Sequence, residues 1–302
     1  MIKKIVKKLS GGGNPDLLAM EYAKAHDVTH NPNICFVVAL RSRQSTDKWS
    51  QVLNDFNNTL RSIFNQTCPD FQVYVGCNEI PELEDEYDER LHFVTADLPI
   101  PNTWEEKCRD RSWKLCLCAK KIREEYQDLL ASDNGIYIFP VDADDFVNCR
   151  IAEYVANHPD ANGFKSANGY KWIKGSFKME ITPYFGGSMN IMKMYKDDLP
   201  AELPEQSLCF DKETAIKLTE RYPIRWYDIE VEHKFAELGR PLERLPFKST
   251  VYVLGTGANI SNSDPHNLNN GKEFHPIAFL RSINPLSHRK VTTEIKKEFG
   301  MI

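Results

Sequence analysis

The 302-residue chain carries a formal net charge of −5, with 41% hydrophobic and 27% charged residues. That is the balance of an ordinary globular protein, long enough for one large α/β domain or two small ones. With no face rich in Lys and Arg, nucleic acid is excluded as the main ligand.

The longest apolar runs, Ile34–Leu40 and Ile136–Val141, are too short to span a bilayer. No apolar core follows the basic start at Lys3, Lys4, Lys7 and Lys8, so the start does not read as a secretory signal and a cytoplasmic location is expected. The eight cysteines are expected to be reduced thiols, and Cys116-x-Cys118 lacks the second pair a zinc site needs.

Residues 1–32 read as a lead-in of two short helices broken by Gly11-Gly12-Gly13-Asn14-Pro15. Ile34–Leu40 is a continuous apolar run, the mark of a strand buried on both faces. Trp49, Val52, Leu53, Phe56, Leu60, Ile63 and Phe64 then recur at helical spacing. Asp70–Gly76 and Leu91–Val94 read as strands, Trp104–Leu130 as one long helix or two, and Ile136–Val141 as a fourth strand entered through a turn at Asp133-Asn134-Gly135. Phe146–Asn157 is expected to be a helix ended by His158-Pro159.

This alternation predicts a parallel sheet flanked by helices, with ligands beyond the carboxyl ends of its strands. Arg41–Arg43, Cys77–Glu79 and Asp142–Asp145 would then share one crevice. The second half changes character: Gly163–Ile173, Tyr184–Met192 and Ser249–Leu254 read as strands, and Asp211–Arg221 and Asp228–Leu238 as helices. One larger mixed sheet is expected.

The most informative stretch is Ile136-Tyr-Ile-Phe-Pro-Val-Asp-Ala-Asp-Asp-Phe146, where an apolar strand runs into three carboxylates within four residues. Such crowding is unfavourable without a compensating cation. Oxygen-only donors suit Mg²⁺ or Mn²⁺. The plain alternative is a solvated acidic turn with Asp145 as helix N-cap.

This segment resembles the Asp-x-Asp-Asp signature of family 2-type glycosyltransferases of the GT-A fold. Thr59–Val75 resembles their first helix, Gln-Thr turn and second strand. Asp228–Gly239 resembles the helix bearing their acceptor-activating Asp, eleven residues before a helix-ending Gly. The resemblance runs over roughly residues 33–261. It implies an α/β, GT-A (Rossmann-like) single domain with a central mixed, mostly parallel sheet flanked by helices. The nucleotide half would be 33–160, the acceptor half 161–261, and 262–302 a C-terminal extension.

The implied activity is metal-dependent transfer of a sugar from a nucleoside-diphosphate sugar to a saccharide or other hydroxyl acceptor, with inversion, of the kind that serves surface polysaccharide synthesis. Asp144 and Asp145 would hold Mn²⁺ or Mg²⁺. Asp142 or Asp144 would contact the ribose, and Asp228 would be the base. Arg41, Glu79, Arg111 and Lys114 would line the nucleotide, with Arg43 and Arg109 nearby. Peripheral membrane association is compatible with this reading.

The chain departs from the family pattern in three places. Its second strand ends in Cys77-Asn78-Glu79 where the family has paired Asp. The acceptor-side pair is Tyr227-Asp228. No His follows the late strand, with His266 and His275 the remote candidates. Gly186-Gly187-Ser188 would permit close approach of a sugar. Trp172 and Trp226 could stack on acceptor sugars, although core packing is their commoner use. Two other readings share these features. One is a haloacid-dehalogenase-like phosphatase, which needs a late acidic pair such as Asp197-Asp198. The other is a nucleotide-sugar-binding protein without transfer activity.

Overall fold

In a computed structural model the described residues are 33–131, 134–183, 186–226, 228–256 and 288–301, the side chains of Asp228 and Ile229 excepted. The lead-in helices expected over 1–32, and both His266 and His275, lie outside them.

Strands β1 (Ile34–Ala39), β2 (Phe71–Cys77), β3 (Leu91–Thr95) and β4 (Ile136–Val141) are joined by α1 (Trp49–Phe64) and by α2 (Trp104–Glu125) with α3 (Gln127–Ala131). β1 pairs in parallel with both β2 and β4, and β2 pairs in parallel with β3. The expected long helix is therefore two, divided at Tyr126, where the backbone leaves helical geometry. Thr103 and Glu106 open α2 with a reciprocal capping box.

The two faces of β1 feed two cores. Ile34, Phe36 and Val38 pack with Phe56, Leu60 and Ile63 of α1. Cys35 and Val37 pack with Leu115, Ala119 and Ile122 of α2. That period-2 division is why the strand reads as uninterrupted apolar sequence. A Cβ on Gly76 would sit 2.7 Å from the Lys114 carbonyl, so α2 approaches β2 over a position that takes no side chain.

The second half departs from the expected single mixed sheet. β6 (Gly163–Ser166), β9 (Asn190–Met194) and β10 (Glu243–Leu245) extend the first sheet to seven strands, in the order β10-β6-β9-β4-β1-β2-β3. β5 (Phe146–Val147), β7 (Gly169–Ile173), β8 (Lys178–Thr182), β11 (Thr250–Leu254) and β12 (His288–Lys290) form a second, five-stranded sheet. Phe146, Tyr170, Met179, Val251, Val253 and Phe299 make a core of their own, and these buried faces divide the sheets. The C-terminal stretch supplies β12 and α7 (Thr293–Glu298), whose following Phe299 enters that core.

The helix expected over Phe146–Asn157 begins only at α4 (Ile151–Ala156). Phe146 and Val147 instead pair antiparallel with Val251 and Thr250, and the Val147 N–H donates to Ser62 Oγ. Tertiary pairing overrides the local periodicity. Gln66, of the Gln-Thr turn, fixes the α4 entry: its amide donates to the Asn148 carbonyl and accepts from the Ala152 N–H, both at 2.8 Å.

The remaining helices are α5 (Lys212–Arg221), capped by Asp211, and α6 (Asp228–Glu237). Val231 and Phe235 of α6 join the core on the α2 face of the first sheet. All eight cysteines are free, six of them buried.

Candidate functional site

Because β4, β1 and β2 are parallel neighbours, the loops after them open on one edge of the sheet. The loop after β1 is tied to the end of β2 by the Arg43 N–H, which donates to Glu79 Oε1 at 2.7 Å. Asn78 donates its amide to the Leu98 carbonyl at 2.9 Å. Arg41, Glu79, Asp142 and Asp144 thus gather at one edge, from segments far apart in sequence.

The three aspartates after β4 have different tasks. Asp142 Oδ1 accepts from Arg111 Nε at 2.9 Å and Nη2 at 2.7 Å, and its Oδ2 accepts from the Gly187 N–H at 3.1 Å. Asp145 is fully buried. Its Oδ2 accepts from Ser188 Oγ at 2.7 Å and its Oδ1 from the Val253 N–H at 3.2 Å. Ser188 Oγ also accepts from the Asp142 N–H at 2.9 Å, so one hydroxyl joins both ends of the acidic turn. Asp145 therefore ties the turn to β11 rather than capping a helix.

Asp144 is half-buried between the other two. Burial, then the charges of Asp142 and Asp55, push its carboxyl up to about 7, against the opposing pull of Arg41. Burial, then Asp144 and Asp142, also drive Asp145 upward, against its hydrogen bonds from Ser188 and Val253. The turn is thus a crowded anionic site with two of its three carboxylates fixed by internal donors. Oxygen donors under mutual repulsion fit a hard divalent cation. Among the described residues no three His, Cys, Asp or Glu side chains converge as a ready-made metal cluster.

The cations divide likewise. Arg111 is engaged with Asp142, and Arg109 donates to the Phe210 carbonyl at 2.7 Å. Lys114 is 0% exposed and pairs with Asp110 at 2.8 Å, inside the protein rather than on the crevice wall. Burial lifts the Asp110 carboxyl in spite of Lys114 and Arg41. Burial also lowers Arg41, against the charges of Asp144 and Asp110.

Gly187 has a use not foreseen for it. A Cβ there would lie 2.5 Å from both Arg111 Nη2 and Asp142 Oδ2, so the missing side chain admits this ion pair. Asp55 and Lys174 carried no sequence signal: α1 reads as an ordinary amphipathic helix, and Lys174 lies just past the strand read over Gly163–Ile173. Yet Asp55, nearly buried, pairs with Lys174 at 2.6 Å and adds its charge to Asp144. The links through Ser188 cross more than forty residues and leave no trace in local spacing.

Asp228 opens α6, and its side chain is outside the described set. Glu232 pairs with Lys165 and Glu230 with Lys234. Trp226 donates to the Thr219 carbonyl and packs on Phe235, and Trp172 donates to the Ser176 carbonyl and packs on Phe146. Both indoles are built into the fold. Asp198, of the late acidic pair that a phosphatase would need, is held by Arg240 at 2.7 Å and by the Tyr195 N–H.

No protein-family model and no curated protein matches this chain. Among solved structures, it is similar to S. aureus TarS 1–349, at 11% identity over 73% of this chain and 60% of that one, with a TM-score of 0.37. It is also similar to HddC from Yersinia pseudotuberculosis, at 9% identity over 73% of this chain and 89% of that one, with a TM-score of 0.27. The chain spans less than two thirds of the TarS structure, and neither similarity assigns it an activity. Its own strand order, with the Asp-x-Asp-Asp turn at the carboxyl end of β4 between two mixed sheets flanked by helices, gives it the α/β, Rossmann-like architecture expected of a GT-A type fold.

Proposed function

We propose that this protein is a metal-dependent glycosyltransferase that moves a sugar from a nucleoside-diphosphate sugar to an acceptor hydroxyl. The observation that carries the reading is the division of labour in the acidic turn. Asp142 and Asp145 are fixed by Arg111, Gly187, Ser188 and Val253, while Asp144 stands among like charges at the sheet edge.

Asp144 is the carboxylate that would hold Mn²⁺ or Mg²⁺, with Asp142 oriented beside it by Arg111. Such an ion, when bound, offsets the charge of a leaving diphosphate. Its other positions would go to diphosphate oxygens and water. Arg41 contributes fixed positive charge at the same edge. Glu79 or Asn78, just after β2, would make the base contact that the family resemblance implies. Asp228 would accept the acceptor's proton as its oxygen attacks the anomeric carbon, which favours inversion by single displacement.

A thermal-shift screen of UDP, GDP, CDP and dTDP, with and without Mn²⁺, tests the reading. A ligand that binds only the native state raises the melting temperature, by an amount that grows with its concentration over Kd. One nucleotide should stabilise the protein, and only with the metal. No shift for any of the four with Mn²⁺ present rejects the proposal.

A further inference from the structure

The hairpin joining β7 to β8 ends in Ile173-Lys174-Gly175-Ser176-Phe177-Lys178. Phe177 is 71% exposed and Ile173 63%, the two most exposed large hydrophobic side chains among the described residues. Both stand on one tip, away from the core that Met179 and Tyr170 enter from the same strands.

The tip has a basic rim. Lys178 stands over the Phe177 ring at 5.3 Å. The edge strand β12 pairs antiparallel with β8 so that Lys290 faces Lys178 and Arg289 faces Met179. Lys178 and Lys290 are exposed, share one face and form no ion pair among the described residues, whereas Arg289 shares the opposite face with Met179. The nearest counter-charge on the strand, Glu180, lies opposite Lys171 and His288.

We propose that this hairpin tip, with β12 beside it, docks the protein on an anionic lipid bilayer. An aromatic and an aliphatic side chain at a loop tip, rimmed by lysines, match the two layers of such a surface. Phe177 and Ile173 enter the acyl boundary, and the ammonium groups meet the anionic headgroups with their stems along the apolar zone. Nucleic acid fits less well, because the chain as a whole is anionic and this basic cluster is small. No helix among the described residues is long and apolar enough to cross a membrane, so the contact is peripheral.

Lys174, on the same turn, is ion-paired to Asp55 at 2.6 Å, which ties the tip to α1.

Co-sedimentation of the full chain with large vesicles tests the contact, using phosphatidylcholine alone and phosphatidylcholine with about a third phosphatidylglycerol, at low and high salt. Each basic residue near an anionic surface contributes on the order of a five-fold gain in partitioning. Lys178→Glu with Lys290→Glu should therefore weaken binding to the anionic vesicles at least ~10-fold, and Phe177→Ser should weaken it at both salt concentrations. Both changes are at exposed positions, so an unchanged melting temperature controls for folding. No binding of the wild type to anionic vesicles at low salt overturns the proposal, as does equal binding by Phe177→Ser. A dimer in solution that Phe177→Ser dissociates would also overturn it, by making the tip an interface between copies. Vesicle binding without any nucleotide-induced thermal shift would keep the docking and reject the transferase.

Discussion

Arg111 holds Asp142 through a single carboxylate oxygen: Nε and Nη2 both converge on Oδ1, at 2.9 and 2.7 Å, and Oδ2 is left to the Gly187 N–H. The pair is about a quarter exposed on each side, so its Coulomb energy is screened and its value lies in orientation. Arg111→Met should leave the melting temperature within a few degrees of wild type and weaken Mn²⁺-dependent nucleotide binding about 10–100-fold, the usual effect of losing a group that orients a metal ligand. Titration calorimetry reads this directly. Unchanged affinity would reduce the pair to a surface tie.

Gly187→Ala tests the close approach from the other side. The new methyl would lie 2.5 Å from two polar atoms, one of them on Asp142, and the loop must move to admit it. A loss of about 1–3 kcal/mol in urea unfolding is expected, the range for overpacking, together with weaker nucleotide binding. Gly186→Ala is a poor control, because Gly186 sits at φ 89°, where any side chain is strained.

Lys114 and Asp110 form an ion pair one helical turn apart, with side chains 0% and 5% exposed. Lys114→Met should cost about 3–5 kcal/mol, because it strands a carboxylate in the interior. Lys114→Met with Asp110→Leu should recover most of that loss. Denaturant unfolding of the two variants distinguishes a buried structural pair from a nucleotide contact. A Lys114→Met protein of full stability with lost nucleotide affinity would restore the ligand role that the sequence suggested.

Asp228 and Asp144 should separate chemistry from binding. Asp228→Asn is expected to keep nucleotide affinity and lower the chemical rate about 10²–10⁴-fold, the usual contribution of a positioned base. Asp144→Asn should instead weaken metal-dependent binding itself. Single-turnover rates beside calorimetry make the comparison. If Asp228→Asn reacts at the wild-type rate with chemistry limiting, Asp228 only opens α6, and Glu230 and Glu232 are next to test.

Stability should report the Asp88–Arg90 pair as a function of pH. Burial raises the Asp88 carboxyl, but the hydrogen bonds and charge of Arg90 outweigh it and hold it below the usual Asp range. A depressed folded value means the unfolded state takes up the proton first as pH falls. The contribution is therefore complete above about pH 4, near the ordinary value of an unfolded Asp, and disappears as pH drops through the lower folded value. In urea unfolding from pH 6 to pH 2, the wild type should exceed Asp88→Asn at the upper end and converge with it at the lower. A constant difference would assign the effect to packing.

The buried strands, the amphipathic α1 and the edge on which the acidic turn opens could be read from the chain, because each depends on local periodicity. An apolar run such as Ile34–Leu40 can be satisfied only between two layers, and the 3.6-residue spacing of α1 supplies one of them. The three aspartates likewise announced a crowded anionic turn. Their separate tasks were invisible, because Ser188, Val253, Arg111 and Asp55 reach them from other elements. For the same reason Lys114 looked like a ligand until its partner Asp110 appeared inside the core, and Phe146 looked helical until Val251 paired with it. Side-chain periodicity selects which face of an element is buried. Long-range pairing decides which charges are neutralised and which stay at the edge, and that follows from how the two sheets pack rather than from any neighbour in sequence.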